Sequence, residues 1–116
     1  MHIVRIVAVF RDGGHSHKNY KFVLVCGIDA NQRLVEGEWM GYIQNESIFW
    51  PFILKNGNSC FYGGEEHYAE PTNVGHGEIQ AGRFFTLSSP QGEATTWQST
   101  YEIVSCHTYE SKTLAS

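Results

Sequence analysis

The sequence lacks the long apolar segments and the clusters of basic residues that mark several classes of protein. None of its apolar runs approaches the roughly 18 residues that a membrane-spanning helix needs, so we expect no membrane association. No signal peptide is expected either, because the first ten residues alternate apolar side chains around Arg5. The chain has eight basic and twelve acidic residues. The basic residues are scattered singly along the sequence, which argues against nucleic acid as a partner.

Cysteine is also scarce. Cys26, Cys60 and Cys106 contain no C-x-x-C pair, so neither a zinc ribbon nor a disulfide framework is expected. An odd number of cysteines without a secretion signal is typical of the reducing cytoplasm, where a free thiol behaves as a small buried hydrophobic group. The sequence therefore predicts a cytoplasmic protein.

Common catalytic and cofactor motifs are missing. The chain has no H-E-x-x-H pair, no G-x-S-x-G elbow and no G-x-G-x-x-G loop. A zinc protease, an α/β-hydrolase and a dinucleotide-binding domain are thus disfavoured, and we expect no cofactor.

What the chain does contain is enough apolar material for a packed core. Of its 116 residues, 41% are hydrophobic and 14% aromatic, whereas only 17% are charged. This length and composition predict one domain, which we place at residues 1–110, followed by a frayed tail at 111–116.

Short strand patterns separated by turn residues run along the whole chain. Residues 3–10 and 20–28 flank the turn Arg11-Asp12-Gly13-Gly14 and predict a hairpin. Residues 47–54 predict a further strand, which Pro51 should confine to an edge or a bulge because proline cannot donate to a ladder. Three more short strands are predicted, at residues 59–62, 83–88 and 100–106.

Residues 33–44 are ambiguous. Their apolar side chains could line one face of a helix, but Gly37 and Gly41 would each cost such a helix about 1 kcal/mol relative to alanine. We interpret the segment as extended. The fold prediction is therefore an all-β, single-domain antiparallel barrel or sandwich of about six to seven strands with little or no helix.

A long polar segment at residues 63–77 interrupts the strand patterns. Connections of this length are uncommon in compact domains and often carry function. We predict that it forms a lid over a binding site, and its candidate lid residues are Glu65, Glu66, His67 and Glu70.

The histidines suggest an alternative site. Imidazole and carboxylate groups bind zinc, manganese and iron, so His15, His17, His67 and His76 could ligate a metal, with Glu66 or Glu78 as general base. On a strand, His15 and His17 would share one face and could ligate one metal. Glu66, His67 and His76 have no recognised metal-binding spacing, and we expect no metal. A metal-dependent hydrolase or isomerase remains the alternative function.

Aromatic residues are concentrated in the middle third of the chain. Residues 39–68 hold half of the Phe, Trp and Tyr side chains. The interior cannot take all of them, because neighbours such as Phe49 and Trp50 point to opposite faces of a strand. Some must be covered by the linker, line a pocket or form an interface. The candidates for ligand binding or for an interface are Trp39, Tyr42, Trp50, Tyr62 and Tyr68.

These observations favour a non-enzymatic binding protein. It would use an aromatic face or cavity to hold a small apolar ligand or to self-associate as a homodimer. The net charge of -4 supports one more alternative, an interaction or inhibitor module for a basic partner protein.

Overall fold

In a computed structural model that describes residues 1–63 and 68–109, the chain forms eight strands and one short 3-10 helix, Val74–His76. No helix in these residues is long and apolar enough to cross a bilayer. The prediction of an all-β antiparallel fold is confirmed, with a strand count close to that expected. The strands are β1 (His2–Asp12), β2 (His15–Ile28), β3 (Glu38–Asn45), β4 (Ile48–Lys55), β5 (Ser59–Phe61), β6 (Ala69–Pro71), β7 (Phe84–Ser88) and β8 (Gln98–Thr108).

All eight strands belong to one antiparallel sheet that curls into a nearly closed barrel. Their order is β6-β5-β4-β3-β2-β1-β8-β7, so β6 and β7 are the two ends of the sheet. These ends meet where Thr72 forms a bridge with Leu87. The Thr72 hydroxyl donates to the Thr86 carbonyl at 2.7 Å, and the Thr86 amide donates to Asn73 Oδ1 at 2.7 Å. Closure of this kind shortens the exposed edge of the sheet.

The β1–β2 hairpin forms the longest wall of the barrel. Gly13 and Gly14 have φ values of 56° and 87°, a conformation that the tight turn requires and glycine adopts without strain. Strand β2 begins at His15, five residues earlier than predicted. Paired glycines close the hairpin directly, so backbone pairing with β1 includes the polar residues 15–17 even though their side chains give no apolar signal.

The interior is built from the inward-facing residues of every strand. Phe22 is fully buried at the centre, and its ring centroid lies 5.0 Å from that of Phe52 and 4.8 Å from that of Phe85. Gly41 makes this packing possible. A Cβ atom there would lie 2.2 Å from the Val23 carbonyl oxygen and 2.8 Å from Cζ of Phe52.

The two ends of the barrel differ. At the closed end, the segment after β6 places Val74 and Ile79 among the core residues. The Ile79 amide donates to the Gln32 carbonyl at 2.7 Å, which holds this segment in place. The open end is where β3, β5 and β7 finish and where β4, β6 and β8 begin.

The predicted edge character of residues 47–54 is found in the first half of β4. Strand β5 pairs only with Ile53–Lys55, so the stretch from Ile48 to Phe52 has β3 as its single neighbour among the described strands. Pro51 lies within this stretch. Proline has no backbone N–H to donate, and on its open side β4 has no described strand that would need one.

Candidate ligand-binding cavity

The open end of the barrel contains a cavity of about 560 Å³, a volume typical of small-molecule sites. Because antiparallel strands alternate in direction, the ends of β3, β5 and β7 and the beginnings of β4, β6 and β8 meet around it. The described lining residues are Ile43, Asn45, Trp50, Tyr62, Gly63, Tyr68, Glu70, Leu87, Trp97, Ser99 and Tyr101.

Five aromatic side chains among the described residues line this cavity. Trp50, Tyr68 and Trp97 lie at its rim and are 51%, 36% and 39% exposed. Tyr62 and Tyr101 lie deeper, against the core aromatic residues described above. Large aromatic surfaces are thus left in contact with solvent on a concave wall, which is the typical lining of a ligand pocket.

Local backbone structure positions Trp97. The Ser89 amide donates to the Trp97 carbonyl at 2.9 Å, and the Trp97 amide donates to Oγ of Ser89 at 3.0 Å. Trp97 is not among the predicted candidates, because it lies outside the aromatic middle third. The alternation of Trp97, Ser99 and Tyr101 at every second position was the available signal, since such residues share one face of a strand.

The main polar group in the cavity is the carboxylate of Glu70. The residue is 8% exposed, and each of its two oxygens accepts one tyrosine hydroxyl. Tyr62 donates to Oε1 at 2.5 Å and Tyr68 donates to Oε2 at 3.0 Å. Strands β5 and β6 pair between Cys60 and Glu70, and this pairing fixes the carboxylate between the two rings.

Burial shifts the acid–base properties of this cluster. Desolvation raises the pKa of Glu70 above its ordinary value, although the two tyrosine hydrogen bonds partly oppose the shift. Desolvation and the neighbouring carboxylate also raise the pKa of Tyr62, and they raise the pKa of Tyr101 to about 12. Tyr62 and Tyr68, whose pKa values are both raised, therefore stay protonated and act as the hydrogen-bond donors to Glu70.

The predicted aromatic candidates divide among three locations. Trp50, Tyr62 and Tyr68 line the cavity. Trp39 packs against the core at the start of β3, where its indole nitrogen donates to the Val35 carbonyl at 2.8 Å. Tyr42 contacts Phe49 with a centroid distance of 5.5 Å, and neither residue lines the cavity.

Of the predicted lid residues, only Glu70 is among those that the structure describes. Glu65, Glu66 and His67 fall outside the described residues, but Gly63 and Tyr68, at the two ends of the described chain there, both line the cavity. Glu70 lies in strand β6 instead of in a loop. Strand β6 is only three residues long and carries no apolar alternation, so it is not among the predicted strands, whereas its partner β5 lies within the strand predicted at residues 59–62.

The histidines proposed as metal ligands do not come together where they are described. His15 and His17 lie near the start of β2, and the His17 ring contacts those of Phe10 and Tyr20. His76 lies at the closed end, where its carbonyl accepts a hydrogen bond from Arg33 at 2.6 Å. Strand β2 lies between these positions, because His15 and His17 are at its start whereas Arg33 follows its end at Ile28. His67 is outside the described residues.

The remaining polar candidate, Glu78, also lies away from the cavity. It forms an ion pair with Arg83 at 3.3 Å. Within residues 1–63 and 68–109, no group of three or more His, Cys, Asp or Glu side chains is arranged to hold a metal ion. No family model, curated protein or solved structure matches this chain.

Proposed function

We propose that this protein is a non-enzymatic binding protein that holds a small, largely apolar ligand in the cavity at the open end of the barrel. The observation that carries the proposal is the exposed aromatic rim around a concave site of ligand size. Leaving Trp50 and Trp97 partly in water has a cost that a bound ligand would recover, since burial stabilises by roughly 25 cal/mol per Å² of apolar surface.

A neutral probe can test this proposal. Phenylbutanol combines an aromatic ring with an apolar chain, and we expect it to quench or shift tryptophan fluorescence in a saturable manner. Trp50→Leu should weaken its affinity about tenfold, in line with the 1–3 kcal/mol typical of a changed contact in an apolar pocket. Tyr42→Leu is the matched control, because Tyr42 lies on the neighbouring strand but does not line the cavity.

Two results would contradict the proposal. One is the absence of saturable binding to the wild-type protein. The other is an equal loss of affinity in Trp50→Leu and Tyr42→Leu, which would place the binding site outside the cavity.

Self-association is a second candidate function, favoured by the apolar edge of β4. Ile48, Phe49 and Trp50 are each more than half exposed on the stretch that lacks a second described neighbour. A second copy could pair with this edge or cover it. Light scattering should then report a dimer that Phe49→Lys converts to a monomer. A wild-type monomer at high concentration would contradict this candidate.

The cytoplasm is the compartment we propose for this protein. Cys26, Cys60 and Cys106 are all free thiols, and the first two are buried among core residues. Free thiols of this kind persist in a reducing environment.

A further inference from the structure

We infer that the ligand of this cavity is an organic cation, an amine whose charged nitrogen contacts Glu70 while its apolar portion lies against the aromatic rim. This inference rests on the function proposed above and narrows the class of ligand. It depends on three features of the site: the unused acceptor capacity of Glu70, the absence of a described positive charge beside it, and the arrangement of the aromatic rings.

The Glu70 carboxylate has acceptor sites to spare. An ionised carboxylate offers about four lone-pair sites, and the tyrosine hydroxyls of Tyr62 and Tyr68 occupy two of them. The carboxylate lines the cavity, so a donor on a ligand can reach the remaining sites. An ammonium group carries up to three N–H donors and suits these acceptors, because hydrogen bonds between charged partners are the strongest available.

No described residue supplies a positive charge to Glu70. The ion pairs of residues 1–63 and 68–109 join Arg11 to Glu102, Lys55 to Glu38 and Arg83 to Glu78. None of these basic side chains lines the cavity. A buried carboxylate without a cation is costly, and a cationic ligand would remove that cost on binding.

The aromatic rim fits the same class of ligand. Cations are attracted to the faces of aromatic rings, most strongly to tryptophan, and the attraction increases where water is excluded. Trp50 and Trp97 stand at the rim, and Tyr101 lies deeper. A carboxylate set among aromatic rings attracts a positive charge from several directions and repels an anion.

A purely structural role for Glu70 is the competing explanation. In that case the carboxylate would only hold Tyr62 and Tyr68 in place, and the side-chain amide of a glutamine could hold them about as well. A neutral ligand would then bind as well as a charged one. The two explanations differ in whether affinity depends on the charge of the ligand.

Three probes that share a phenyl ring and a four-carbon chain test this difference: phenylbutylamine, phenylbutanol and phenylpentanoate. Their affinities are measured by tryptophan fluorescence at pH 7.5, where the amine is charged. We expect the amine to bind at least tenfold more tightly than the alcohol, and the carboxylate to bind least. In Glu70→Gln the amine and the alcohol should bind within about threefold of each other.

Two controls exclude general charge effects and misfolding. Glu38→Gln removes the same charge from an exposed position outside the cavity and should preserve the preference for the amine. Phenylbutanol affinity in Glu70→Gln should stay within about threefold of wild type, which shows that the cavity is intact. Circular dichroism and thermal melting check that each variant is folded.

The outcomes separate this inference from the function on which it rests. If the alcohol binds and the amine gains nothing, or if Glu70→Gln keeps the tenfold preference, the cation inference is wrong but the cavity still binds ligands. If phenylpentanoate binds most tightly, the cation inference is also wrong. If none of the three probes binds the folded wild-type protein, both proposals fail.

Discussion

Replacing Tyr62 with phenylalanine tests how the protein tolerates a carboxylate inside its barrel. The change keeps the ring, which packs 5.9 Å from Phe52, and removes only the hydroxyl that donates to Glu70. Oε1 of Glu70 would then lose its donor in a place with little access to water. We expect the free energy of unfolding to fall by about 2 kcal/mol at pH 8, because a hydrogen bond to a charged group contributes roughly 1.5–3 kcal/mol.

The loss should depend on pH, and its sign follows from the pKa of Glu70. Burial already raises that pKa. The stability that Glu70 contributes is therefore present at low pH, and it is lost as the pH rises through the pKa of the folded state. Tyr62→Phe removes a hydrogen bond that lowers the pKa, and therefore raises it further. The difference between variant and wild type should shrink to about 1 kcal/mol near pH 4, where Glu70 is protonated and the bond is an ordinary neutral one.

Urea denaturation followed by tryptophan fluorescence at pH 4, 6 and 8 measures these differences. Tyr20→Phe is the matched control, since its hydroxyl also donates to a glutamate, Glu46, at 3.0 Å, but on the exposed surface. That variant should be as stable as the wild type throughout. If Tyr62→Phe lost no more stability at pH 8 than Tyr20→Phe, the argument that Glu70 is held as a buried anion by its tyrosines would be refuted.

Three further predictions concern the core, the thiols and the charge of the cavity. Gly41→Ala should lower the free energy of unfolding by about 1–3 kcal/mol through overpacking, whereas Gly77→Ala, which has open space around it, should leave the melting temperature unchanged. Cys26 should resist Ellman's reagent at pH 8 until the protein is unfolded, because burial raises its pKa to about 12, and the half-buried Cys106 should react first. Glu70→Gln should become more stable relative to the wild type between pH 5 and pH 8 in melting experiments, because it lacks the titration that destabilises the wild type as the pH rises. A relative stability that stays flat over this range would contradict it.

The strands with strong apolar patterns could be predicted from the sequence. The hairpin of β1 and β2 follows from dense β-branched residues around a Gly-Gly turn, and both features act locally. Pro51 likewise restricts its own strand to a position with a free side. Such predictions hold because backbone propensity and the pattern of apolar and polar side chains depend only on residues within a few positions along the chain.

Strand β6 could not be predicted in the same way. It has three residues, too few to show an alternation, and it forms because β5 offers an edge and Thr72 closes the barrel onto β7. The sequence pattern therefore predicts a loop at Glu70. Strand pairing between distant segments decided its burial, and with it the shift in its pKa.

The aromatic candidates show the same division. The sequence by itself determined that adjacent residues such as Phe49 and Trp50 lie on opposite faces, so that some aromatic surface had to stay outside the core. Only the tertiary structure decided which rings meet: Trp97 joins Trp50 at one end of the barrel, whereas Trp39 goes to the core. The direction of each strand around the sheet determines which residues lie at the same end of the barrel. Strand direction depends on the topology of the whole sheet and cannot be derived from a local sequence pattern.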